Sequence, residues 1–115
     1  MKRYLAVYIG TPAGMGAWNA LSETERQQRH VKGVQAWKDW VADNQAAIVE
    51  VGAPLGQTLR ASPSGIDKTK NALTGFTVVQ AESHEQAAAL FEGHPHFTLF
   101  PGDSVEILEC LPIPA

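Results

Sequence analysis

The chain has 115 residues, with nine basic and twelve acidic side chains and a formal charge of −3, which suits one domain with a core of its own. No block of lysine or arginine occurs, so nucleic acid is not an expected partner, and a lone cysteine, Cys110, excludes an intrachain disulfide and gives no reason to expect an oxidising compartment. The opening apolar run of about six residues is too short for a signal peptide or a membrane span, so residues 1–115 are expected to be a single cytoplasmic domain with no membrane partner.

In chain order, Tyr4 to Ile9 alternates as a strand, with Leu5, Val7 and Ile9 on one face and Tyr4, Ala6 and Tyr8 on the other. The stretch GTPAGMG breaks that pattern and reads as loop. It lacks the ending of a phosphate-binding loop and the spacing of a dinucleotide fingerprint. Ser22 with Glu25 forms a capping box, and a helix is predicted to run from there to about Asn44. At about 100° per residue its inward stripe is His30, Gly33, Val34, Trp37, Trp40 and Val41.

AIVEVGAP is the second strand, followed by a polar stretch around Pro63 and Gly65 that reads as a long loop with room for a small hairpin. ALTGFTVVQAE is the third strand. Ser83 and Gln86 cap a short helix bearing Ala87, Leu90 and Phe91, with Gly93 placed to end it, and SVEILECL is the last strand.

The order strand, helix, strand, strand, helix, strand predicts an α+β fold, the ferredoxin-like βαββαβ sandwich with an antiparallel four-stranded sheet. Both helices carry one apolar stripe and are expected to cover one side of the sheet. The side expected to stay uncovered holds Tyr4, Ala6 and Tyr8, then Ile48 and Glu50, then Thr77, Val79 and Ala81, and last Glu106, Leu108 and Cys110. A surface that apolar calls for a partner, and a second copy packed by two-fold symmetry is expected to close a cavity between the two sheets. A monomer with one half-wet face is the alternative.

LTGFTVVQAES running through AAALFEGHPHF into FPGDSVEILECLPIP, with VGAPLGQT upstream and the His30 helix before it, resembles the YCII-related family of dimeric α/β-barrel proteins. The resemblance covers Tyr4 to Pro114. It implies a ferredoxin-like protomer, a homodimer and an active site built around a histidine on the first helix and an aspartate preceding a proline after the second. His30 matches the first position. His94, before Pro95, stands where the aspartate would be, so a fixed negative charge is missing there, and Glu50, Glu106 and Glu109 are the carboxylates available to replace it.

A residue before proline favours extended geometry, so His94 and His96 are expected to project to the same side. His30, His94 and His96 are then expected to meet at one pocket. Histidine exchanges its proton near neutral pH, and a pair of imidazoles suits enolisation, isomerisation, hydrolysis or dehydration of a small carbonyl compound. His30 and His94 are the expected catalytic residues, and Tyr8, Trp37, His96 and Phe97 the expected contacts to a small ligand. No cofactor and no metal are expected, although three imidazole nitrogens can also hold zinc. A core role for His30 and a packing role for Cys110 are the plainer readings of those residues. A dimeric binding or accessory protein without catalysis is the second functional reading.

Overall fold

The computed structural model describes residues 1–114. Its main sheet is four-stranded and antiparallel, in the order β2 (Ile48–Pro54), β5 (Leu73–Ala81), β1 (Lys2–Gly10), β6 (Gly102–Glu109). Between these strands come α1 (Pro12–Asn19), α2 (Glu23–Asp43), α3 (His84–Ala89) and the single turn α4 (Pro95–Thr98), and β3 (Thr58–Ser62) pairs with β4 (Gly65–Thr69) as a separate two-stranded ribbon.

Both expected caps form. Ser22 Oγ accepts from the Glu25 N–H at 3.1 Å and Ser83 Oγ accepts from the Gln86 N–H at 3.1 Å, each satisfying a donor that has no partner inside its own helix. Gly93 ends the α3 segment with φ 67°, the left-handed conformation glycine adopts freely.

The GTPAGMG loop expectation is corrected. Residues 12–19 are helical because Thr11 caps them, accepting from the Gly14 N–H at 3.2 Å, and Pro12 supplies the preset φ of a first helical position. Gly14 acts there through its size. A β-carbon on it would lie 2.6 Å from the Pro101 carbonyl oxygen, so the glycine lets α1 press against the entry to β6.

The two faces of the sheet are exchanged relative to expectation. Tyr4, Ala6, Tyr8, Val79 and Ala81 lie beneath the helices with Ala87 and Phe91, and Trp37, Trp40, Ile48, Leu90, Val105 and Ile107 pack against them. Alternation therefore turns Leu5, Val7 and Ile9 to the side without helices, together with their cross-strand neighbours Val78, Phe76, Glu106 and Leu108. The tyrosines suit the interior because their polar ends find partners or ring faces. Tyr8 Oη lies 2.7 Å from Thr77 Oγ1, which itself donates to the Val51 carbonyl at 2.8 Å, and Tyr4 stacks on His84. The helix-free face is more apolar than expected. Leu5, Ile9, Phe76 and Val78 are half-buried on it and Leu108 is exposed.

Every ladder of the sheet is irregular at one end. The register shifts between Tyr8 and Ile9 against β5, between Ile9 and Gly10 against β6, and between Glu50 and Ala53 of β2 against β5, with one further shift in β2 between Ile48 and Glu50. Bulges of this kind bend a strand and re-aim its side chains. The candidate site lies at that end.

Candidate functional site

A cavity of about 450 Å³ opens between the helix side of β2 and β5 and the rings of Trp37 and Phe100. Tyr8 and His96 contribute to its wall, Val51 to Pro54 form one rim, and Thr74, Gly75 and Phe76 form another. The bulge in β2 is what shapes the first rim. Gly52 takes φ 80°, and a β-carbon there would sit 1.8 Å from the Phe76 carbonyl oxygen, so the strand can fold this tightly against β5 only with glycine at that position. Phe100 reaches the cavity because Gly33, buried on α2, leaves its ring room. A β-carbon on Gly33 would meet that ring at 2.5 Å.

The His-Pro-His segment is a turn of helix, which corrects the extended geometry expected of it. His94 is the N-cap, and its Nδ1 accepts from the His96 N–H at 3.0 Å. Its neutral ring must then carry the proton on Nε2, and that nitrogen is buried with no hydrogen-bond partner among the described residues. The ring is wedged nearly perpendicular to Trp37 and Trp40, at centroid distances of 4.5 and 4.7 Å, with Tyr8 and Phe91 also against it. Burial, and secondarily the neighbouring His96, lowers its pKa to about 4. His94 is therefore neutral near pH 7.

His96 points the other way. Its Nε2–H donates to the Ile9 carbonyl at 2.8 Å, which leaves Nδ1 as the proton-accepting nitrogen of the neutral ring. Burial lowers its pKa as well, and the backbone of Ile9 and of Ser104 and the Asp103 carboxylate pull the other way. Tyr8 is the third perturbed group. Burial raises its phenol to about 12 against the opposing hydrogen bond with Thr77, so it too is uncharged across the physiological range.

Tyr8, Trp37 and His96 meet at the cavity, as the ligand contacts expected from sequence would have to. The others do not join them. His30 is exposed on α2, with its ring edge-on to Phe100 at 5.9 Å, and Phe100 and Trp37 stand between it and His94. Its place on the inward stripe is thus corrected, because α2 turns the Gly33, Trp37 and Trp40 side to the body and leaves both His30 and Val34 out. Phe97 is exposed and faces a shallow depression beside Phe91 and Asp103 instead of the cavity.

The three-histidine zinc arrangement does not form, and among the described residues no group of three or more His, Cys, Asp or Glu side chains is placed to hold a metal ion. No carboxylate lines the cavity, so none of Glu50, Glu106 and Glu109 replaces the missing aspartate there. Cys110 is exposed, where a packing role was expected. Phe100 and the Val51–Pro54 rim were missed from sequence. Their only signals were an aromatic residue in a proline-punctuated loop and the Gly52-Ala53-Pro54 turn.

The cavity also departs from the expected location, lying between helices and sheet within one chain and not between two sheets. Among the described residues no helix is long and apolar enough to cross a membrane. No protein-family model matches the chain, and no curated protein matches it. Among solved structures it is similar to the 5-chloro-2-hydroxyhydroquinone dehydrochlorinase TftG of Burkholderia phenoliruptrix AC1100, in complex with 2,5-dihydroxybenzoquinone. The TM-score is 0.51 at 19% sequence identity, covering 91% of this chain and 89% of that one. At that identity the likeness speaks for the fold alone.

Proposed function

We propose that the chain is a YCII-like protein of the dimeric α/β-barrel superfamily, assembled as a homodimer, and that it is a small cofactor-independent enzyme acting on a compact carbonyl compound held beside His96. The observation that carries this reading is the placement of His96 in the wall of an otherwise apolar, ring-lined cavity, with its tautomer fixed by the Ile9 carbonyl. A volume near 450 Å³ suits a small organic molecule. A neutral imidazole whose Nδ1 is free to take a proton suits proton removal next to a carbonyl, the proton then returning to another atom of the same molecule. The neighbour of the same fold is named for a chlorinated hydroxyhydroquinone, and a planar cyclic compound of that class is the substrate we propose to try first. In this reading His96 takes over the acid/base part expected of His30 and His94, and His94 positions it through the backbone of the α4 turn.

The same cavity also serves a binding protein without turnover, and the unavailability of His94 Nδ1 favours that second reading. The two separate in one experiment. Calorimetric titration with 2,5-dihydroxybenzoquinone and related hydroxyquinones is expected to report binding that Trp37→Ala weakens at least tenfold and His30→Ala leaves within about twofold. His96→Gln keeps an N–H able to reach Ile9 but removes the base, so binding survives while turnover falls by about 10²–10⁴. Binding without turnover in wild type would end the enzyme reading, turnover undiminished in His96→Gln would end the assignment of His96 as its base, and ligand binding indifferent to Trp37 would end the cavity assignment.

A further inference from the structure

The cavity has a hydrogen-bonding sense as well as a shape. The lining side chains able to donate an N–H or O–H are Tyr8, Trp37, Thr74 and His96. Most of those protons are already engaged inside the protein. The Thr74 hydroxyl donates to the Tyr8 carbonyl at 2.9 Å, and His96 Nε2–H donates to the Ile9 carbonyl at 2.8 Å. The direction of the Tyr8 bond follows from its neighbour. Thr77 has one hydroxyl proton and gives it to the Val51 carbonyl, 2.8 Å away, because a carbonyl oxygen can only accept. In the 2.7 Å contact between Tyr8 Oη and Thr77 Oγ1 the phenol must therefore be the donor. The bulge in β2 makes this chain possible: Val51 falls where the ladder skips from Glu50 to Ala53, so its carbonyl is free to take a side-chain proton. Tyr8 is 3% exposed and Thr77 1%, so water offers neither hydroxyl another partner.

What remains for a ligand follows by subtraction. Tyr8 Oη and His96 Nδ1 have lone pairs and no proton to give, and the Trp37 indole N–H is the side-chain donor of the lining left without a partner among the described residues. No lysine, arginine, aspartate or glutamate lines the cavity. Such a wall accepts more than it donates and has no charge to offset an anion.

We infer that the site selects a neutral ring presenting hydroxyl protons to Tyr8 and His96, and that Thr77 fixes this preference by holding the Tyr8 proton, an inference that rests on the cavity assignment above. The ligand class is a phenol, or an enol beside a carbonyl whose oxygen is left for Trp37. A carboxylate is disfavoured, because it brings lone pairs to lone pairs and a charge to an uncharged wall. Thr77 is outside the lining. It is a positioning residue that acts through Tyr8.

Calorimetric titration tests this in a Cys110→Ser background, which removes the exposed thiol that a quinone would attack. The ligands are matched in size: hydroquinone offers O–H donors where 1,4-benzoquinone offers acceptors, and 4-hydroxybenzyl alcohol is neutral where 4-hydroxybenzoate is an anion. With Tyr8 and Thr77 intact, hydroquinone should bind at least tenfold more tightly than benzoquinone, and the alcohol at least tenfold more tightly than the benzoate. Thr77→Val keeps the branched shape and frees the Tyr8 proton for the cavity, so the first ratio should fall to within about threefold, chiefly through tighter benzoquinone, whereas Thr77→Ser should preserve it. Tyr8→Phe reads the same preference should Thr77→Val fail to fold: hydroquinone should weaken and benzoquinone stay within about twofold. Equal affinity within either pair, or a hydroquinone preference that both Thr77→Val and Tyr8→Phe leave intact, would overturn the inference and leave the cavity assignment standing. Binding of none of the four, or binding indifferent to Trp37→Ala, would overturn both.

Discussion

Alanine at position 52 is expected to cost roughly 3 kcal/mol or more of folding stability. Two penalties act at once. The backbone there has φ 80°, which an L side chain rarely adopts, and the new methyl would lie 1.8 Å from the Phe76 carbonyl oxygen and 3.2 Å from its ring. Neither obstacle is the free end of a flexible side chain, so relief requires β2 to move away from β5. That movement takes the Val51–Pro54 rim with it, and ligand affinity should fall along with stability. Urea denaturation checks the first effect and Trp37 fluorescence the second. Gly56→Ala is the control: nothing lies within 4 Å of its β-carbon position, and its urea midpoint should stay close to that of wild type. Equal midpoints for the two variants would mean that the bulge does not constrain the strand.

The second large effect is a loss of stability in mild acid. His94 titrates at about 4 in the folded chain against an ordinary 6.5, so the unfolded chain takes up the proton first. The contribution is whole above about pH 6.5, shrinks as the pH falls, and is gone by about pH 4, at a cost of roughly 2–3 kcal/mol. His96 is lowered too and adds in the same direction. Asparagine is the informative replacement, because its side-chain oxygen can still cap α4. His94→Asn should be less stable than wild type near neutral pH by about 1–3 kcal/mol, because a ring is lost from among Trp37, Trp40, Tyr8 and Phe91. Its denaturation midpoint should nevertheless vary less between about pH 7 and pH 4.5, the two curves converging in acid. Parallel curves would show that the proton is taken up elsewhere.

The architecture was largely legible in the residues. Two capping boxes marked the helix starts, alternation marked the strands, and their order left few arrangements to consider. The assignment of faces failed for a physical reason. Alternation says which residues share a side, and in β1 both sides are apolar: Leu5, Val7 and Ile9 against Tyr4, Ala6 and Tyr8. What decides is the fit to the covering helix. Trp37 and Trp40 need a small residue such as Ala6 among the larger ones beneath them, and the Tyr8 hydroxyl needs Thr77, a partner 69 positions away.

The site was less legible for similar reasons. His94 and His96 drew notice as imidazoles, but one hydrogen bond between backbone and ring turns them in different directions. Gly14 read as part of a loop and Gly33 as one more position of the inward stripe, whereas each marks a close approach to a chain segment near residue 100. Contacts across that distance leave no local periodicity.

The chain is only 18 Å through in its shortest direction, barely the depth of a helix laid on a sheet. No part of such a slab lies far from water. Of the largest side chains that are fully closed off, Tyr4, His94, Val79 and Thr77, three carry polar atoms. The hydrocarbon that would normally form a deep interior is spread over the helix-free face, on Leu5, Val7, Ile9, Phe76 and Val78. In the proposed homodimer those surfaces become the middle of the particle, so the thermodynamic unit of folding is the pair, and dilution acts on it as a denaturant would.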